Sequence, residues 1–313
     1  MSSDRDDRPD SRTVLVRIRD LLPSLRPSER RVAVLLLDDP TGSANRSIAE
    51  LADLGATSTT SVVRFYQRIG YAHYKDLLID LTREATREEL ENPGLPAISG
   101  DIDRNDTLDD IISKVAMNET LSIADTAKVL DRAALGKAVE LVLGARRVDS
   151  FGVGASSVVG LDLQQKLSRI GRISLNWPDA HAAWTAAATL DRSCVAIAIS
   201  HSGTTIDTVE FLRIARAVGA ATMAITNYRR SSLIDAADVV LTTAARETRF
   251  RSGALGSRIA QLMVVDCLFT GVAQSSYDES MAALQRTYAA VHPRRPGTPR
   301  ATEGTQLPPR RRR

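Results

Sequence analysis

The residues best equipped for chemistry lie between positions 200 and 205. Ser200, Ser202, Thr204 and Thr205 supply four hydroxyls around Gly203, with His201 between the serines. An apolar run, Cys194–Ile199, precedes them and reads as a strand buried on both faces of a parallel sheet. Behind them Val209, Leu212, Ala215 and Val218 recur every three residues, the spacing of a helix. A helix N-terminus presents unpaired N–H groups and the positive end of its dipole, so a hydroxyl loop in front of one is suited to an anion. The alternative is an ordinary N-cap. A cap needs one hydroxyl, and four in six residues predict a phosphate-like ligand.

A second loop has the same character. Phe151-Gly-Val-Gly-Ala-Ser-Ser157 follows a strand and opens a helix. A dinucleotide fingerprint would need a third glycine three residues after the second, where the chain has Ser157, and this counts against NAD. In a parallel sheet both loops emerge at the carboxyl ends of their strands, where open α/β folds bind ligands. The sequence therefore predicts that Ser156 and Ser157 join Ser200, Ser202, Gly203 and Thr205 around one anion.

A different chemistry is written near the N-terminus. Ser47-Ile-Ala-Glu50 is a capping box for a short helix with Leu51, Ala52 and Leu54 on its apolar face. Gly55 should break it, and Thr57 or Ser58 should cap a second helix that Gly70 stops. Two short helices about a tight turn read as a helix-turn-helix. Val62, Phe65 and Ile69 form the inner face of the second helix, and Ser58, Thr59, Thr60, Arg64 and Gln67 form the outer. Short polar groups at the first turn and a cation one turn later suit a helix lying in the DNA major groove. Lys75, on the following helix, could reach a phosphate. The alternative is a plain helical hairpin with a solvated face.

These motifs need elements to carry them. Helical patterns occupy 14–37, split near Pro23 and Pro27 and stopping before Pro40, and then 73–90. Residues 91–106 collect two prolines, two glycines and several acids and read as a linker. Thr107 caps a long helix whose apolar stripe is Leu108, Ile111, Ile112, Val115 and Leu121, and a further helix spans 132–143. Strands then alternate with helices: strands near 147–151, 172–175, 194–199, 221–226 and 238–242, and a last helix near 253–274. The expected fold class is α + α/β: an all-α helix-turn-helix domain over 13–90, then a parallel-sheet α/β domain over 107–290. Residues 1–12 and 291–313 carry no periodicity and are expected to be disordered.

Composition narrows the class. Of 313 residues 43% are hydrophobic and 25% charged, as in a soluble globular protein. Cys194 and Cys267 lie in apolar segments and read as core residues, in keeping with a reducing cytoplasm. No apolar run reaches the roughly 18 residues of a membrane span, and the N-terminus is too polar for a secretory signal. Residues 292–313 hold seven Arg against one acid, so the preceding 291 residues carry a net charge of −3. A DNA interface must therefore rest on local residues.

Together, Gly152-x-Gly154-Ala155-Ser156 and Ser200-x-Ser202-Gly203-x-Thr205 resemble the sugar isomerase (SIS) domain, a phosphosugar-binding α/β fold. Upstream, Leu25-x-Pro27-Ser28-Glu29-Arg30-Arg31, Ile48-Ala-Glu-Leu-Ala52, Val62-Val-Arg-Phe65 and Ile69-Gly-Tyr71 resemble the N-terminal domain of RpiR/MurR-type transcriptional regulators. Ser257-Arg-Ile-Ala-Gln-Leu262 resembles them too. The likeness covers residues 15–285. It implies that Ser156, Ser200, Ser202 and Thr205 hold a sugar phosphate. His201 is then a candidate ligand contact or base, or points away from the loop; Glu247, after the last strand, is a candidate acid beside a sugar hydroxyl, or a solvated carboxylate. The chain departs from the family at Arg26, where Ser or Thr usually precedes the proline, and at Ala56, where the turn usually has glycine.

The expectation is a cytoplasmic transcriptional regulator, not an enzyme. Its partners would be double-stranded DNA with a palindromic operator, a phosphorylated sugar, and a second copy or three more of itself. Neither a metal nor a cofactor is implied. The rival is an aldose–ketose phosphosugar isomerase with an accessory helical domain, using His181, His201 or Glu247 for proton transfer.

Overall fold

The computed structural model describes residues 13–91, 103–247 and 254–291. The expected disordered termini, apart from Val291, and most of the expected linker lie outside these residues. Six helices come first: α1 (Val14–Leu21), α2 (Pro27–Asp38), α3 (Pro40–Ala44), α4 (Ile48–Leu54), α5 (Thr59–Arg68) and α6 (Tyr74–Glu91). They close over one core in which Leu15, Ile18, Val32, Leu36, Leu51, Val62, Phe65, Leu77 and Leu81 are fully buried. Each such side chain contributes about 1.5–3 kcal/mol by leaving water. α3 is absent from the sequence reading, which treated Pro40 only as a terminator. Asp39 accepts the Gly42 N–H at 2.8 Å and Pro40 takes the first helical position, where its missing N–H costs nothing.

The capping box at Ser47 forms as expected: Ser47 N–H donates to Glu50 at 2.7 Å and Glu50 N–H to Ser47 Oγ at 3.3 Å. Ser58 caps α5 through the Ser61 N–H. α4 stops at Leu54, with Gly55 at the break as expected, and the left-handed turn position is the next residue. Gly55 keeps an ordinary φ of −77°, and Ala56 takes the left-handed one, +44°. Arg31 braces this turn from α2, its Nε donating to Gly55 O at 2.8 Å and its Nη2 to Ala56 O at 2.9 Å.

The second half holds α7 (Leu108–Val129), α8 (Arg132–Gly144), β1 (Arg147–Gly152), α9 (Ala155–Arg169), β2 (Ser174–Asn176), α10 (Ala180–Ala187), β3 (Cys194–Ile199), α11 (Ile206–Ala217), β4 (Ala221–Thr226), α12 (Ser232–Asp235), β5 (Val239–Thr242), α13 (Leu255–Ser275) and α14 (Tyr277–Val291). The five strands pair in parallel in the order β2-β1-β3-β4-β5. One sheet face packs against α8, α9 and α13 through Val142, Leu163, Val264 and Leu268. The other packs against α10 and α11 through Ala183, Phe211 and Leu212. This is the α + α/β architecture expected.

Two expectations fail here. The proposed stripe of α7 does not face the core: Leu108, Ile111 and Ile112 are 77%, 41% and 65% exposed. α7 is instead buried over its second half by Ser122, Asp125, Thr126 and Val129, which bracket the chain after β5. Thr126 Oγ1 accepts the Ala244 N–H at 3.1 Å and Ser122 Oγ the Arg246 N–H at 3.0 Å. α14 was also missed. By length and composition α13 could cross a membrane, but Val264, Val265, Leu268 and Val272 are buried against the sheet and its helices.

Candidate functional site

The strand order reverses between β1 and β3, since β2 lies outside β1 while β4 and β5 extend from β3. That switch point is where an open parallel sheet leaves a crevice at its carboxyl edge. Gly152 pairs with Ile199, so the last residues of β1 and β3 are neighbours and both hydroxyl loops start side by side. A Cβ on Gly152 would stand 2.9 Å from Ile199 O and from Ser156, which explains a glycine at this close approach.

Within the β3–α11 loop the hydroxyls first brace one another. Ser200 Oγ, almost fully buried, accepts the Gly203 N–H at 3.1 Å and lies 3.1 Å from Thr205 Oγ1. Ser202 Oγ accepts from Thr204 N–H at 3.3 Å and from Thr204 Oγ1 at 3.1 Å. Gly203 has φ +64°, and a Cβ there would meet Ser231 Oγ at 2.2 Å. Thr205 is the N-cap residue of α11 yet makes no side-chain cap bond, so the positive end of that helix keeps its capacity for an anion. Arg229 and Arg230, exposed in the next loop, add positive potential.

The other candidates fare differently. Ser156 Oγ is buried and donates to Gln261 Oε1 of α13 at 3.3 Å. Ser157 Oγ turns back and donates to Gly154 O at 2.7 Å, within the first turn of its own helix. His201 is buried with its ring edge-on to Tyr228, centroids 5.4 Å apart, and its carbonyl accepts Asn227 N–H at 3.1 Å and Thr226 Oγ1 at 3.3 Å. Glu247, considered as an acid or as a solvated carboxylate, instead accepts the Ser257 N–H at 2.5 Å and caps α13. His181 is exposed on α10 beside Trp184.

Several residues at this edge were not singled out from sequence. Asn227 Oδ1 accepts Thr243 Oγ1 at 2.9 Å and Ala245 N–H at 2.6 Å, tying the end of β4 to the chain after β5. A polar residue directly after a buried strand is the signal that could have found it. The larger omission is α1. Its face Val14, Leu15 and Ile18 enters the helical core, while Val16 packs on Val129 and Ala244. Arg229 N–H donates to Asp20 Oδ1 at 2.9 Å. The buried Asp125 carboxylate takes Arg19 at 3.3 Å and Arg246 at 2.8 Å. A narrow cleft lies along this contact, lined by Val16, Arg19, Asn227 and Thr243 among others. The helical half thus rests on the chain that follows β4 and β5, which Asn227 N–H joins to the hydroxyl loop through the His201 carbonyl.

At the far end, Ser58, Thr59, Thr60, Arg64, Gln67 and Lys75 are all exposed. Arg68 is engaged elsewhere, donating to Glu29 at 3.1 Å and to Ser24 O at 2.6 Å, which holds α5 on α2.

Comparison with known proteins gives both halves a counterpart. Residues 12–88 match the helix-turn-helix domain of the rpiR family, and residues 141–271 match the SIS domain. An uncharacterised HTH-type transcriptional regulator of Caldanaerobacter subterraneus, TTE0211, is 36% identical over 88% of this chain and 95% of its own. The NanR protein of Vibrio vulnificus, solved in complex with ManNAc-6P, covers 88% of this chain and 97% of its own at 28% identity and TM-score 0.56. The sugar isomerase domain of an RpiR transcription factor from Sphaerobacter thermophilus covers 57% of this chain and 98% of its own, at 25% identity and TM-score 0.53.

Proposed function

Because the chain belongs to the rpiR family of helix-turn-helix transcriptional regulators with a SIS domain, we propose that it binds operator DNA through α5 and senses a phosphorylated sugar at the β1/β3 crevice. Ser58, Thr59, Thr60, Arg64 and Gln67 would meet the groove, with Arg64 and Gln67 reading base edges and Lys75 a backbone phosphate. Ser200, Ser202, Gly203 and Thr205 would cradle the ligand phosphate against the α11 N-terminus, with Ser156 beside them. The division into a DNA-binding unit over 13–90 and an effector unit over 107–290 is part of this reading.

The observation that carries it is the contact of α1 with the effector edge. Asp20 meets Arg229, Asp125 joins Arg19 to Arg246, and Asn227 links that region to the His201 carbonyl inside the hydroxyl loop. An anion that reshapes the loop would bias the placement of α1, and DNA that fixes α1 would bias the loop by the same free energy. Two copies would set two α5 helices on half-sites about 34–36 Å apart, a palindromic operator. The exposed apolar faces of α7 (Leu108, Ile112) and α9 (Val158, Leu161) support such self-association.

The isomerase reading is weaker, because Glu247 is engaged as a helix cap and His201 is buried against Tyr228. The test is a gel-shift titration on the upstream region with a panel of sugar phosphates. A shift of midpoint with one of them is expected, and none with any member would defeat the sensor reading. Deuterium wash-in at C2 of the same sugars checks chemistry: a regulator gives none.

A further inference from the structure

The crevice has two unlike walls. The β3–α11 loop runs toward α11, on the sheet face of Phe211 and Leu212, whereas Ser156 begins α9 on the opposite face, which α9 shares with α13. The α11 N-terminus and the α9/α13 wall thus stand on opposite sides of the crevice between β1 and β3. On that wall Gln261 is only 1% exposed. Its Oε1 takes the Ser156 hydroxyl at 3.3 Å, and its Nε2 has no hydrogen-bond partner. Turning the amide over changes which end meets Ser156 but still leaves one end unsatisfied. A buried amide left half-bonded is costly, and such groups persist where a ligand completes them. The anchoring favours this assignment, since Ser156 itself abuts Gly152 at the floor of the crevice.

From this geometry we infer that Gln261 is the specificity residue of the sensor: its spare amide end hydrogen-bonds a hydroxyl of the sugar, while the Ser200–Thr205 loop holds the phosphate. The inference rests on the sugar-phosphate reading above. It divides recognition into a part common to all phosphates and a part that reads the sugar. A site built around a sugar hydroxyl discriminates strongly against ligands lacking it, because the protein group is then left unpaired.

The experiment compares inorganic phosphate with ManNAc-6P, glucose 6-phosphate and fructose 6-phosphate by calorimetric titration of the full-length chain and of Gln261→Met. In the variant, the preference of the best sugar phosphate over inorganic phosphate should fall by about tenfold or more, with inorganic phosphate affinity unchanged. The variant's melting temperature should fall by only a few degrees, because removing an unsatisfied buried amide offsets much of the cost of leaving the Ser156 hydroxyl without its acceptor. Should Gln261→Met fail to fold, Gln261→Asn, which draws the amide back by one methylene, should show the same selective loss. A folded variant that keeps the full preference would overturn the assignment. Equal loss for sugar phosphate and inorganic phosphate would also overturn it, placing Gln261 behind Ser156 as a structural support. A parent chain that prefers no sugar phosphate over inorganic phosphate defeats the sensor reading itself, and this inference with it.

Discussion

Ala56 and Gly203 occupy the same left-handed region for opposite reasons. Ala56, at φ +44° and exposed, carries the steric cost of a Cβ near its own carbonyl with nothing packed on it in return. Ala56→Gly should therefore raise stability by about 0.5–1 kcal/mol, less than the full relief because glycine loosens the unfolded chain. A shift of the urea midpoint at constant slope checks it. At Gly203 a Cβ would collide with Ser231 and with Thr226, so Gly203→Ala should destabilise by about 1–3 kcal/mol and abolish sugar-phosphate binding in the same calorimetric titration. The hydroxyl loop was legible because four hydroxyls in six residues are chemically unusual. Which hydroxyl turns inward was not, as Ser157 shows. Its fate depends on the Gly154 carbonyl one turn back, a matter of backbone path rather than composition. Glu247 escaped for a similar reason, since its partner Ser257 is ten residues on.

Elements were read well where their ends carry local chemistry. The boxes at Ser47 and Thr107 both form, and each holds its carboxyl, Glu50 or Asp110, below the ordinary range chiefly through hydrogen bonds from the capping residue. A lowered folded-state value contributes stability that is present above the unfolded value, about 4, and is lost as pH falls through the folded one. Acidification below about pH 4 should therefore fray the first turns of α4 and α7 before the core opens, and Glu50→Gln should remove the pH dependence at α4. Amide exchange of residues 48–51 measures it. On α6, Lys75→Ala should weaken operator binding for all sequences alike and lower the salt slope by about 0.9. Periodicity misled where an element's apolar stripe does not face its own core. The first half of α7 is as regular as any buried helix, yet Leu108 and Ile112 face outward in a single chain.

At the scale of the molecule, the order of domains was evident from motifs but their contact was not, because it joins residues more than 100 positions apart. Arg19, Asp125 and Arg246 meet around a carboxylate that is 3% exposed, and no local pattern announces it. Asp20→Ala should leave operator affinity and sugar-phosphate affinity each close to the parent when measured alone. The effect of one ligand on the other, typically about 5–150-fold in coupled proteins, should shrink toward unity. Operator anisotropy titrations with and without the effector give that ratio directly. The two-faced character of α1 also bears on how such regulators can be recombined. A chimaera joined in the linker would bring α1 to a foreign partner, matched in fold but not in the residues at positions 125, 229, 244 and 246. Grafting α1 together with those four positions and Val129, on which Val16 also packs, should carry this contact into the chimaera.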